Sequence, residues 1–86
     1  MELEQLRIFV AVAKSGSFTK AARQMYISHS TTSRAVSALE AELGVKLIER
    51  GNRIMDLTQA GKMLFDGAEE VLQNVQMLAE RVSRVE

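Results

Sequence analysis

Apolar residues recur at helical spacing from the start of the chain. Leu3, Leu6, Phe9, Val10 and Ala13 fall on one face, and the pattern stops at Ser15-Gly16. Ser17 then offers a helix N-cap, with Phe18, Ala21, Ala22 and Met25 following at i, i+3, i+4 and i+7. The two alanines predict close approach by another helix. Tyr26-Ile27 interrupts the pattern and Ser28 supplies a third cap. Val36, Leu39 and Leu43 then carry a buried stripe to Gly44, a natural helix stop. A short helix, a tight turn and a longer helix over 28–43 predict a helix-turn-helix.

Beyond Gly44 the period changes. Val45-Lys46-Leu47-Ile48-Glu49-Arg50 and Arg53-Ile54-Met55-Asp56-Leu57 are β-capable runs around Gly51-Asn52, which predicts a hairpin closed by a two-residue type II′ turn. A hairpin over 45–57 placed directly after a helix-turn-helix forms a wing. From Thr58 onward Leu64, Ala68, Val71, Val75, Leu78, Val82 and Val85 alternate by four and three residues, an a/d seam of about three heptads. Phe65, Leu72 and Ala79 broaden it. A helix over 59–86 would run about 40 Å, too long to cover its stripe on the preceding body alone. Part should pack on that body and part on a second copy, so all seven seam residues are candidates for a dimer interface. The expected fold is mainly α: a winged helix-turn-helix over 1–57, with three helices and a two-stranded wing, then a long linker or dimerisation helix over 58–86.

Composition narrows the support such a fold can have. Eighty-six residues make one compact unit at most, and 47% hydrophobic content is too high for intrinsic disorder. A body this small needs reinforcement. The chain has no Cys and a single His, His29, which excludes disulfides, thiolate zinc sites and multi-histidine metal sites. Self-association is left, and no cofactor or metal is expected. The longest apolar run, Ile8 to Ala13, is six residues, too short for a membrane span. Met1-Glu2-Leu3-Glu4 is acidic where a signal peptide is basic. A cytoplasmic protein with no membrane partner is the expectation.

Net charge is zero but unevenly placed. Between Lys14 and Arg53 stand seven basic residues (Lys14, Lys20, Arg23, Arg34, Lys46, Arg50, Arg53) against Glu40, Glu42 and Glu49, whereas acids outnumber bases after Thr58. Such polarity suits a chain that holds a polyanion at one end. The opening of the third helix reads His29, Ser30, Thr31, Thr32, Ser33, Arg34. Helix N-termini present free N–H groups to phosphates, short hydroxyl side chains permit close approach to base edges, and arginine pairs bidentately with guanine. The bland alternative is a solvated first turn. The hairpin that follows tips the balance toward double-stranded DNA, with His29, Ser30, Thr31, Ser33 and Arg34 as base- or register-contacting candidates. Lys20, Ser28, Arg50 and Arg53 are the candidates for phosphates or the wing. A second function class is a winged-helix interaction module without DNA binding, supported by the zero net charge. An enzyme is not expected: Ser28 or Ser30 beside His29 lacks a third group to orient the base.

The runs Leu6-Arg7-Ile8-Phe9-Val10-Ala11-Val12-Ala13, Gly16-Ser17-Phe18-Thr19-Lys20-Ala21-Ala22, Ser33-Arg34, Leu39 through Arg50, and Leu57-Thr58-Gln59-Ala60-Gly61 resemble the LysR-type transcriptional regulators. They do so in register along essentially the whole chain. The resemblance implies a bacterial, homodimeric DNA-binding domain whose linker helices pack antiparallel. It also implies a C-terminal effector domain sensing a small-molecule inducer, which is expected to be absent from this chain. By position it gives His29, Ser30, Thr31, Ser33 and Arg34 base or phosphate contacts, and Arg50 and Arg53 wing contacts. Relatives commonly carry Gln-Pro at 29–30, an apolar residue at 32 and Gln at 35. Here these are His29, Ser30, Thr32 and Ala35, so no operator sequence carries over, and Thr32 is expected to loosen the helix seat.

Overall fold

The computed structural model describes residues 1–50 and 55–85. Its elements run α1 (Leu3–Ser15), α2 (Phe18–Met25), α3 (His29–Leu43), β1 (Ile48–Arg50), β2 (Met55–Leu57) and α4 (Gln59–Ser83). The caps fall where short polar side chains announce them. Ser17, Ser28 and Thr58 each accept a hydrogen bond from the backbone N–H three residues on, which satisfies a donor the first turn leaves free. Gly16 and Gly44 end α1 and α3 at φ of 69° and 71°, a left-handed conformation that costs glycine nothing. Tyr26 ends α2 in the same region at φ 58°, without that freedom.

Helix α1 is the hub, packing against α2, α3 and α4. It buries Leu6, Ile8, Phe9 and Val12, whereas Leu3 is exposed and Val10 and Ala13 are half-buried. A helix surrounded on several sides buries a wide arc, so periodicity alone centres its stripe wrongly. The α2 stripe is as expected: Phe18, Ala21 and Ala22 are buried and Met25 packs against the core. In α3, Val36 and Leu39 are buried with Ala35 and Thr32, while Leu43, the last helical residue, is exposed. Thr32 is wholly inaccessible, yet its hydroxyl donates to the Ser28 carbonyl at 2.9 Å. The buried polar group is therefore satisfied within its own turn, and the expected loosening has no unpaired hydroxyl behind it.

Strands β1 and β2 pair antiparallel, Ile48 opposite Leu57 and Arg50 opposite Met55. A two-residue turn at Gly51-Asn52 would set Arg50 opposite Arg53. The observed register is shifted by two, and residues 51–54, including that expected turn, lie outside the described residues. A two-residue shift keeps every side chain on its original face, so the apolar pattern could not separate the two registers.

Long-range hydrogen bonds fasten the wing to the helices. The N–H groups of Leu47 and Ile48 donate to Glu40 Oε2 at 2.9 and 3.4 Å. Thr58 Oγ1 donates to the Lys46 carbonyl at 2.7 Å, and its N–H donates to the Leu47 carbonyl at 3.0 Å. Glu40→Ala strips part-buried N–H groups of their acceptor and is expected to cost about 1–3 kcal/mol. The loss should read as a lowered urea midpoint at unchanged m-value. Glu40→Gln, which retains an acceptor oxygen, should recover most of it.

The core does not stop at residue 57. Ala60, Leu64 and Phe65 of α4 pack against it and Ala68 is buried, so Leu57-Thr58 marks the start of α4 and the packed body continues across it. Lys14 and Glu69, 3.0 Å apart, clip α1 to α4 at that level. Past it the helix leaves the body: Val71, Leu78, Val82 and Val85 are exposed, as is Met77.

Candidate nucleic-acid interface

The two sides of α3 have opposite environments. Thr32, Ala35, Val36 and Leu39 seat the helix on the body, while His29, Ser30, Thr31 and Arg34 are exposed and Ser33 is half-buried. A spacing of three to four residues keeps the two sets on opposing faces. His29, Ser30, Thr31, Ser33 and Arg34 are thus brought together on the first turn and a half, at the edge of an open groove between α3 and the wing. Ser33, Ser37 and Glu40 line that groove from the helix, and Lys46, Glu49, Arg50 and Asp56 from the wing, so its walls carry both signs of charge.

The hydroxyls at this helix start are linked in series. Ser28 Oγ accepts from the Thr31 N–H at 3.0 Å, donates to Thr31 Oγ1 at 2.8 Å and lies 3.2 Å from Ser30 Oγ. Ser28 acts as the cap of α3, its hydroxyl held among those of Thr31 and Ser30. The Thr31 hydroxyl proton ends the series without an acceptor among the described residues. No acidic residue occupies the first turn of α3, so nothing offsets the positive end of the helix dipole there. The acids of this helix, Glu40 and Glu42, stand at its other end.

Arg50 closes β1, exposed, with its guanidinium carbon 4.4 Å from the centroid of the Phe18 ring. The His29 ring meets the same phenyl at 6.0 Å between centroids, tilted by 50°. Lys20 is exposed on α2, and neither it nor Arg34 forms an ion pair among the described residues. Arg53 lies outside the described residues. Among the described residues no cluster of His, Asp or Glu could hold a metal ion, and no helix is long and apolar enough to cross a membrane.

Two contributors escaped sequence reasoning. Phe18 reads there only as a core position, although Ser17-Phe18 places an aromatic ring at the exposed start of a helix, where cations can reach it. Glu40 gave no local signal, because its partners stand seven and eight residues further on.

Of the seven expected interface residues, Ala68 is buried within the chain and Leu64 packs on its own core. That takes Ala68 out of an interface with a second copy, while Leu64 keeps part of its surface open. Val71, Val75, Leu78 and Val82 continue the stripe onto the projecting part of α4, all exposed except the half-buried Val75; the helix ends at Ser83, short of the expected 86, so Val85, also exposed, lies beyond it.

Comparison with known proteins gives the family of a chain with this helix start, groove and wing. The family model described as bacterial regulatory helix-turn-helix protein, lysR family, matches residues 3–62. The chain belongs to the lysR family. Among lysR-type relatives it is 46% identical over 81 residues to the HTH-type transcriptional regulator TfdT of Cupriavidus pinatubonensis, covering 94% of this chain and 36% of TfdT. It is 41% identical over 85 residues to the HTH-type transcriptional regulator BenM of Acinetobacter baylyi, covering 99% of this chain and 28% of BenM. The chain therefore spans about a third of the length of these curated lysR-type relatives. The crystal structure of the BenM DBD with catB site 1 DNA superimposes with a TM-score of 0.95 at 41% identity, over 99% of this chain and 94% of that one. The chain thus shares the fold of that domain.

Proposed function

We propose that this chain is the part of a cytoplasmic bacterial transcription regulator that binds double-stranded DNA sequence-specifically, as a homodimer. The observation that carries the reading is the division of α3, one face locked into the core and the other presenting His29, Ser30, Thr31 and Arg34. A rigid seat with exposed donors at the helix N-terminus is what insertion into a major groove requires. The BenM domain, similar over nearly the whole chain, is found with DNA. The interaction-module alternative draws on zero net charge; against it stands the first turn of α3, which carries no acidic residue and exposes His29 and Arg34 a few residues apart.

In this reading Arg34, His29, Thr31, Ser30 and Ser33 contact base edges or fix the register, while Lys20 and Arg50 meet phosphates. The stripe Val71, Val75, Leu78, Val82 and Val85 packs on that of a second chain, antiparallel as in the family, and carries two α3 helices to one face of the duplex. Twofold symmetry then calls for half-sites about one helical turn apart or a multiple of it.

Fluorescence anisotropy with a duplex selected for tight binding, beside a mixed-sequence duplex, separates the roles. Arg34→Ala is expected to cost about 1–3 kcal/mol on the selected duplex and to erode its preference over the mixed one. Lys20→Ala should weaken both equally and reduce the salt slope by about one. A preference that survives Arg34→Ala and falls with Lys20→Ala would reverse the assignment. Salt-independent or absent binding by the native chain would return the interaction module to first place.

A further inference from the structure

Phe18 sits at the one place where α2, the start of α3 and the inner edge of the wing meet. It is 8% exposed. The Arg50 guanidinium lies over its face at 4.4 Å from the centroid, and the His29 ring is tilted against it at 6.0 Å. Both are exposed residues of the DNA-facing surface, from elements far apart in sequence, and both rest on one phenyl ring. A guanidinium over a ring face is attracted by the ring quadrupole, and a tilted aromatic pair at this separation lies within the favourable range. Arg50 has no carboxylate partner among the described residues, so the ring is the group that orients it. That matters because an arginine on a free wing loses several rotors on meeting a phosphate, whereas one already laid over a ring loses fewer.

We propose that Phe18 is a positioning residue for DNA binding, an aromatic platform that holds the Arg50 guanidinium at the mouth of the groove beside α3, poised for a backbone phosphate, and braces His29 on the same surface. The inference rests on the DNA-binding reading above. Its action passes through Arg50, which separates it from a purely packing role: a leucine fills much of the phenyl volume but offers no π face. Orienting energies of this kind correspond to about a two- to fivefold change in affinity per domain. For a dimer that makes about four- to twenty-five-fold.

The test is a double-mutant cycle on the full chain, titrated into a fluorescein-labelled 30-base-pair duplex of mixed sequence at low salt, with thermal melts run in parallel. Phe18→Leu is expected to weaken binding by the amount above, Phe18→Tyr to leave it near native, and Phe18→Leu to have no further effect once Arg50→Gln is present. An equal loss in the Arg50→Gln background, or no loss at all, overturns the proposal and leaves Phe18 a core residue. Should Phe18→Leu fail to fold, the native chain decides. The Arg50 side-chain protons are expected to be shifted upfield by the ring current of Phe18 in the NMR spectrum, and random-coil positions would overturn the platform. Failure of the native chain to bind the duplex would instead strike the DNA-binding reading, with the ring-current result still standing by itself.

Discussion

Leu78→Glu is expected to convert the protein to monomers and to weaken binding to a selected duplex by about a hundredfold or more. Leu78 is 54% exposed, on the part of α4 that has left the body. Burying such a side chain against a second copy gives about 1.5–3 kcal/mol relative to exposure, and each twofold pairing buries two of them. A carboxylate there replaces that gain with a desolvation cost on both chains. Once the pair separates, each domain binds its half-site alone and loses the high effective concentration that tethering confers. Sedimentation velocity reads the change directly, since the chain mass of 9.6 kDa would replace twice that value. Melting of the body should hardly move, because Leu78 belongs to none of the core. Ala68→Glu is the contrasting control: at 2% exposure inside the chain, that carboxylate should unfold the body itself. A dimer that survives Leu78→Glu would place the interface elsewhere.

The second large effect is expected at Gly61. A Cβ on this residue would overlap the backbone carbonyl oxygen of Leu47 and come within 3.3 Å of the Leu57 Cβ. Both obstacles belong to the junction where the wing meets α4, and the Leu47 carbonyl already accepts from the Thr58 N–H. Neither can step aside without breaking the contact between strand and helix. Gly61→Ala is therefore expected to cost about 3 kcal/mol or more, beyond the usual range for overpacking. A domain of this size has only about 4–13 kcal/mol in total. Urea denaturation followed by circular dichroism measures it. A variant as stable as the native chain would show that the close approach of α4 to Leu47, just ahead of β1, is not required. Gly67, with nothing within 4 Å of its Cβ position, is the comparison: Gly67→Ala should stabilise through helix propensity alone, by up to about 1 kcal/mol.

How much of this was legible in the sequence depended on the range of the interactions involved. Helix starts were readable because Ser17, Ser28 and Thr58 bond to N–H groups three residues away, and stops were readable because Gly16 and Gly44 carry the positive φ themselves. The exposed face of α3 followed from the same local periodicity: His29, Ser30, Thr31 and Arg34 are exposed, with Ser33 half-buried and Thr32 turned into the core. Three kinds of feature were not legible. The buried arc of α1 depends on three neighbouring helices, the wing register on a choice to which the apolar pattern is indifferent, and the Gly61 contact on Leu47, fourteen residues earlier. The division of the α4 stripe between Ala68, inside the body, and Val71, outside it, follows from where the body ends in space. A continuous heptad carries no mark of that point. Ser28 was half legible: its capping role was evident, but that its hydroxyl also contacts those of Thr31 and Ser30 became clear only from the distances.

Selection of bound duplexes from a random pool by the native chain tests the central claim most directly. Two copies of α3 carried on one side of a shared α4 pair predict enriched sequences with two inverted half-sites. Their centres should lie about one helical turn apart or a whole multiple of it, with enrichment lost in Arg34→Ala. Enrichment of a single unrepeated site, or of no sequence at all, would contradict the account.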